Sequence, residues 1–248
     1  MARAFSLTIL ALVAFAANSL LCRMALAAGL IGPAAFTLVR LGAGAGMLLA
    51  LSLIEGKAAR PWQGGTTVSA LALLGYAALF SYAYLSLDTG TGALVLFAAV
   101  QLTMIAGGVL LGRRLAWLQW LGAGVAMIGL AYFLAPGAAA PNALGAALMA
   151  ASGACWGLYS LRQRRTGTAI SATSGNFCIA AMLAAPALAL ASDWSGATWT
   201  GIGLAALSGA VTSGIGYAIW YQALAMIQPA VAATAQLSVP LLAAGAGM

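Results

Sequence analysis

The sequence predicts an all-α integral membrane protein built as an inverted repeat of five plus five transmembrane helices, and three observations carry that fold class. Of the 248 residues, 64% are hydrophobic and 5% charged, and the mean hydropathy is +1.03. That leaves too little polar surface to cover a water-soluble globule of this length. Apolar runs of about 18 or more residues recur between short polar breaks, the length of a helix crossing a ~30 Å hydrocarbon core rather than the ~10-residue alternation of a barrel strand. Finally, the segment Gly75–Gly112 recurs without gaps later in the chain. With Tyr82 set on Tyr217, Gln101-Leu102 falls on Gln236-Leu237, Thr103 on Ser238 and Gly112 on Gly247. Each copy is two apolar runs joined by a few polar residues, a helical hairpin used twice, as in carriers with duplicated halves.

The first run, Phe5 to Ala28, follows Met1-Ala2-Arg3 and is longer than the apolar core of a signal peptide, so it reads as a retained span. The next runs are Pro33 to Ile54, Thr67 to Leu87, Gly92 to Leu111, Leu115 to Leu134, Ala143 to Leu161, Ile170 to Ala191, Trp199 to Ala225 and Pro229 to Met248. The uncharged linker Ala135–Asn142 divides them after five spans, giving repeats over 1–136 and 141–248. An odd number of spans per repeat forces the two to be inverted in the membrane. The second repeat shows four spans, so nine helices are expected here, with the tenth missing.

The formal charge of +7 sits in the breaks between spans and forms no continuous basic face, so it speaks of topology and not of nucleic acid. With a cytoplasmic amino terminus, the inside breaks hold Arg3, Lys57, Arg60, Arg113, Arg114, Arg162, Arg164 and Arg165, eight of the ten basic residues. The expected setting is the inner (plasma) membrane. Cys22, Cys155 and Cys178 all fall in apolar runs without metal spacing, and histidine is absent. Neither a disulfide framework nor a metal site is expected, and His-based catalysis is excluded.

Helical rise places Tyr82 and Gln101 at similar depth on either side of the Asp88 turn, with Tyr217 and Gln236 in the corresponding hairpin. Each Gln either clamps a neighbouring helix or lines a cavity near the midplane. Tyr217, Trp220 and Tyr221, at i, i+3 and i+4, share one helix face, and Trp156 and Tyr159 stand on the sixth span. Aromatic residues near span ends are usually interfacial anchors, which suits Trp62, Trp117, Trp120, Trp194 and Trp199; a cavity wall is the alternative for the other group. Arg40 is the charge placed squarely within a span. It is a gate or substrate contact, or else it snorkels outward and pairs near Asp88 and Arg23. Asn18 in the first span is a further polar candidate. Asp88-Thr89-Gly90 has the short signature of an aspartic protease, but no second such carboxylate exists to share a proton, so it reads as a turn. The pairs Gly42/Gly46, Gly108/Gly112 and Gly153/Gly157 read as close helix packing, and Pro240 as a kink.

Several local patterns, in this order, resemble the EamA-type members of the drug/metabolite transporter superfamily. They are Asn18 within FAANSLLCR, Arg40 within FTLVRLGAG, the third-to-fourth hairpin ending LLGRRL, the Gly122 to Gly129 spacing, Cys155-Trp156-Gly157-Leu158-Tyr159, and Gln236-Leu237-Ser238-Val239-Pro240-Leu241. The resemblance implies ten helices, cytoplasmic termini, and a central cavity bounded by the first, third, fourth, sixth, eighth and ninth spans. It implies export of amino acids or other small metabolites. Carried over by position, Asn18, Tyr82, Gln101, Trp156, Tyr159, Tyr217, Trp220, Tyr221 and Gln236 become substrate-binding candidates, with Arg40 and Asp88 as a gate or ion pair. The chain departs from the family pattern where Gly112 is followed by Arg113 instead of Glu, and where Phe15-Ala16 stands for a Trp-Gly pair.

The functional expectation is therefore a secondary transporter exporting a small organic metabolite, an amino acid or related neutral or zwitterionic solute, by alternating access. The alternatives are a non-transporting membrane scaffold or an intramembrane enzyme. An enzyme would need a nucleophile with a base, paired Asp residues or a metal cluster, and none is visible in the sequence. No nucleotide-binding loop of the Walker type is present, and no catalytic residue, cofactor or metal is expected. The expected partners are a small-molecule solute and the bilayer, not nucleic acid; oligomeric state is left open.

Overall fold

A computed structural model describes residues 2–54, 64–110, 112, 117, 120–122, 124–125, 128, 141–163, 169–191, 194–227 and 235–246. Among these the regular structure is entirely helical, and the helices fall where the apolar runs predict them. They are α1 (Ala2–Ala27), α2 (Pro33–Ile54), α3 (Thr67–Ala83), α4 (Thr89–Leu110), α5 (Ala143–Gln163), α6 (Ala169–Ala191), α7 (Trp199–Leu207), α8 (Gly216–Leu224) and α9 (Val239–Ala246). A π-helical segment, Ser208–Ile215, joins α7 to α8 in one continuous rod. Among the described residues six helical segments, the α7–α8 rod counted as one, are long and apolar enough to cross a membrane, and α3 is a shorter apolar helix. Their outward faces carry Leu, Ile, Val, Phe and Trp, Leu190 and Trp199 being about as exposed as in a free chain. Hydrocarbon is the solvent such a surface requires, and the protein is a multi-pass membrane protein.

Helix ends follow from local chemistry. Gly29, with φ +64°, closes α1: its N–H donates to Leu26 O at 3.1 Å and that of Leu30 to Ala25 O at 2.9 Å. This double closure needs a left-handed residue, which glycine supplies at no steric cost. Pro33 then opens α2, where its fixed φ suits a first turn. Thr66, Asn142 and Thr198 cap α3, α5 and α7, each side-chain oxygen accepting an N–H three residues on.

The packing brings helices from the beginning and end of the chain together. α1 lies against the π segment, α7, α8 and α9, while α5 lies against α3 and α4; α2 packs on α6, α7 and the π segment, and α3 also on α6. Small residues set the approach. A Cβ at Gly153 would collide with Leu96 O and one at Gly157 would crowd Thr103, so α4 and α5 touch almost backbone to backbone. The other two expected pairs do not behave this way: a Cβ at Gly42, Gly46, Gly108 or Gly112 would meet no described atom within 4 Å. The close approach of α2 runs instead through Gly44, against Phe177 and Gly209 O.

Two expectations about the end of the chain are corrected. The ninth apolar run is not one long helix where it is described, because Leu237 and Ser238 form a turn. Pro240 lies in the first turn of α9, where a missing N–H costs no helical hydrogen bond, so it starts a helix rather than kinking one. The fifth span lies largely outside the described residues, as do most of the linker 135–142, Glu55, Lys57, Arg60, Trp62, Arg113, Arg114, Arg164, Arg165 and Asp193.

Candidate functional site

Several of the buried polar residues converge on one cluster. Arg40, in the second turn of α2, is 1% exposed. Its Nη2 donates to the hydroxyls of Tyr76 at 3.0 Å and Tyr217 at 3.2 Å, and its Nε to Ser213 Oγ at 3.2 Å. The guanidinium carbon also lies 5.1 Å from the centres of the Tyr76 and Phe80 rings. Snorkelling to the surface, expected as one option for Arg40, is overturned: the charge is held inside by hydroxyls and ring faces from α3, the π segment and α8.

Tyr76 is the hub. Its oxygen meets Arg40 Nη2, Tyr217 OH at 3.2 Å and Asn18 Nδ2 at 3.3 Å. α3 is fixed around it at several points: Ser152 Oγ donates to Tyr76 O at 2.9 Å, Thr37 Oγ1 meets Ser81 Oγ at 2.9 Å, and the Thr66 N–H donates to Asn176 Oδ1 at 2.9 Å. Asn18, 3% exposed on α1, extends the network. Its Oδ1 accepts from Ser208 Oγ at 2.7 Å and Thr212 Oγ1 at 3.1 Å. Both hydroxyls belong to the π segment, where the altered register turns Ser208, Thr212 and Ser213 inward together; such segments recur at functional sites.

Around the network stands an aromatic wall. Trp156 packs 4.6 Å from Tyr217, 5.0 Å from Tyr76 and 5.9 Å from Phe15, ring centre to ring centre. Phe15 also meets Trp220 at 5.6 Å, and Tyr159 bridges Trp156 at 5.5 Å and Tyr221 at 6.2 Å. These are contacts of edge-on and tilted rings. At the centre is a cavity of about 10 Å³ between Asn18, Tyr76, Phe80, Trp156 and Tyr217, room for roughly one water molecule. In this conformation the cavity has no room for a larger solute.

Of the sequence candidates, Asn18, Trp156, Tyr159, Tyr217, Trp220 and Tyr221 come together in this cluster. Tyr82 does not: it is 40% exposed on the outer face of α3. Six residues after Tyr76 the helix has made about one and two-thirds turns, which points Tyr82 roughly 120° away from Tyr76 and off the inner face. The echo that set Tyr82 on Tyr217 therefore pairs an outward residue with a buried one. Gln101 is half-buried on α4 and Gln236 is buried near the start of α9, and neither lines the cavity. Asp88 is no partner of Arg40. Its carboxylate lies 3.4 Å from Arg23 Nη2 with the side chain 86% exposed, and Arg23 Nη1 donates to Tyr84 O at 3.0 Å.

Sequence reasoning passed over Tyr76, Phe80, Ser208, Thr212 and Ser213. The first pair was findable, since Tyr76, Phe80 and Tyr84 stand at i, i+4 and i+8 and their rings pack tilted and edge-on at 5.4 and 4.8 Å. Among the described residues no group of His, Cys, Asp or Glu could hold a metal.

Comparison with known proteins accords with this architecture. A solved structure described as "Crystal structure of protein" superposes with a TM-score of 0.68 at 20% identity, covering 96% of this chain and 86% of that one. At that identity the match speaks for the fold alone. The "Uncharacterized protein PA1977" of Pseudomonas aeruginosa is 47% identical over 245 residues, covering 99% of this chain and 85% of the relative. Residues 2–135 match the EamA-like transporter family. The chain thus belongs to the EamA-like transporter family, within the drug/metabolite transporter superfamily of membrane transporters.

Proposed function

We propose that this transporter is a secondary carrier of the inner membrane that exports a small organic metabolite, an amino acid or a related neutral or zwitterionic solute, by alternating access around the Arg40–Tyr76–Tyr217–Asn18 cluster. The observation that carries the reading is a polar network buried at the centre of an apolar bundle and contributed jointly by helices early and late in the chain. Polar groups at such a position are costly and mark solute pathways in membrane proteins. The bonds crossing between the two sets of helices are few and mostly run between neutral hydroxyls and amides, each contributing about 1 kcal/mol, so they can break and re-form during a transport cycle.

The packing also supports two inverted halves, 1–136 and 141–248. α1 embraces the rod α7–α8 and α9 as α5 embraces α3 and α4, while α2 faces α6. Exchange of the halves maps one set of contacts on the other, which suits rocking about a midplane site. Opening is required, since a cavity of about 10 Å³ admits no metabolite. A cytoplasmic amino terminus follows from the charge bias of the breaks.

Counterflow in proteoliposomes tests the reading. The expected result is saturable entry of a labelled amino acid, accelerated when unlabelled solute is loaded inside. Flux that neither saturates nor responds to trans solute would mark a channel, and no flux across a broad metabolite panel would contradict the carrier.

A further inference from the structure

We infer that the group this site recognises is a carboxylate, received by the guanidinium of Arg40, so that the solute is an organic monocarboxylate or the carboxylate end of an amino acid. The inference rests on the carrier reading for its biological meaning but on Arg40 for its chemistry. A guanidinium stays protonated in proteins and offers five N–H donors. Arg40 is 1% exposed, and three of its donors meet neutral oxygens on Ser213, Tyr76 and Tyr217. Nη1 is buried without a hydrogen-bond partner among the described residues. An unpaired cation in such a place is among the most costly arrangements a protein can hold, and ring faces offset only part of that cost.

Among the described residues no anion faces Arg40. The chain has three acidic residues. Asp88 is exposed and faces Arg23. Glu55 and Asp193 lie outside the described residues. Nothing among the described residues supplies Arg40 with a counter-charge.

The cavity meets the guanidinium through shared walls: Tyr76, Phe80 and Tyr217 line it and also contact Arg40. A carboxylate reaching Nη1 would take its free N–H groups and displace a tyrosine hydroxyl from Nη2, completing the planar two-pronged pair that guanidinium and carboxylate form. The displaced bond, if it is that of Tyr217, joins α2 to α8. Arrival of the anion would then loosen a link between helices that must move apart. Phe15, Phe97, Leu96 and Trp156 form most of the remaining walls, with Asn18 and Ser19 as their polar part, which suits a carboxylate with an aromatic body and a small polar group. A phosphate dianion would lack a second cation here, and a cationic solute would be repelled.

The test is direct binding to the purified full chain, read by calorimetry and by ligand-induced melting shifts. The probes are phenylalanine against phenylalaninamide, phenylpropionate against phenylpropionamide, and inorganic phosphate alone. The acids are expected to bind roughly 10- to 100-fold more tightly than their amides, the range of a charge-assisted hydrogen bond. Arg40→Gln should abolish that preference and Arg40→Lys should keep part of it. Should Arg40→Gln fail to fold, the acid-to-amide ratio of the unmodified protein decides alone. Equal binding of acid and amide, a preference that survives in Arg40→Gln, tighter binding of phosphate, or no binding of either acid would each overturn the inference. Acids that bind through Arg40 yet show no counterflow would refute the carrier and leave the carboxylate site standing; counterflow of amides as fast as acids would do the reverse.

Discussion

Arg40 and Tyr76 are joined twice: Nη2 donates to the tyrosine hydroxyl at 3.0 Å, and the guanidinium carbon lies 5.1 Å from the centre of the same ring. One side chain on α3 thus supplies both a lone pair and a π face to a buried charge on α2. Tyr76→Phe keeps the ring and removes the oxygen at which Asn18, Arg40 and Tyr217 meet. The expected cost is about 1–3 kcal/mol of stability, because polar groups are left buried with fewer partners. A thermal melt in detergent reads it, and an unchanged melt would show that the hub is not a stabilising contact.

Asn18 ties α1 to the π segment through Ser208 and Thr212. Asn18→Ala leaves Ser208 Oγ without that acceptor, whereas Thr212 keeps its contact with Ser208 O at 2.9 Å. A double-mutant cycle with Ser208→Ala should give a coupling of about 0.5 kcal/mol or more, as for side chains within one network. Strict additivity in the cycle would break the link drawn between α1 and the π register.

Gly209 is the tightest point between α2 and the π segment, where an added Cβ would collide with the carbonyl oxygen of Arg40. Backbone cannot yield as a flexible side chain does, so Gly209→Ala should destabilise by about 1–3 kcal/mol or more. Gly42→Ala is the control, since no described atom lies near its would-be Cβ. Size-exclusion profiles and melts of the two variants should differ plainly, and like behaviour would count against the packing described.

Asp88 stands at the other extreme. Its ion pair with Arg23 is 3.4 Å long with the carboxylate side chain 86% exposed, a class of contact that contributes little. Asp88→Asn should leave stability within about 0.5 kcal/mol and transport unaltered. A large loss of flux would restore a gating role for Asp88.

Much of this was legible in the sequence, and the exceptions have physical causes. Hydropathy located the helices because lipid demands long apolar segments, and the second apolar run begins at Pro33, where α2 begins. The face shared by Tyr217, Trp220 and Tyr221 was readable from spacing, and all three are buried. Tyr76 was hidden because the repeat sets it on Val211, whereas the matching Tyr82 lies on another face of the same helix. Ser208, Thr212 and Ser213 were hidden for a different reason: small hydroxyls in a membrane helix usually serve close packing, and only the change to π register turns these three toward Asn18 and Arg40. The depth of Arg40 was equally undecidable from sequence, since a residue in the second turn of a span can reach either water or the core.

Tyr82 and Tyr217 coincide in the sequence repeat and part company in the fold, so they offer the most direct test of the account. Counterflow rates across a range of solute concentrations would be measured for the unmodified protein, Tyr217→Phe and Tyr82→Phe, each matched for amount and folded state. The account predicts that loss of the Tyr217 hydroxyl, which is bonded to Arg40 and Tyr76, lowers saturable flux by about tenfold or more, while Tyr82→Phe transports as the unmodified protein does. Equal rates in all three, or a loss confined to Tyr82→Phe, would contradict the placement of the transport site at Arg40, Tyr76 and Tyr217.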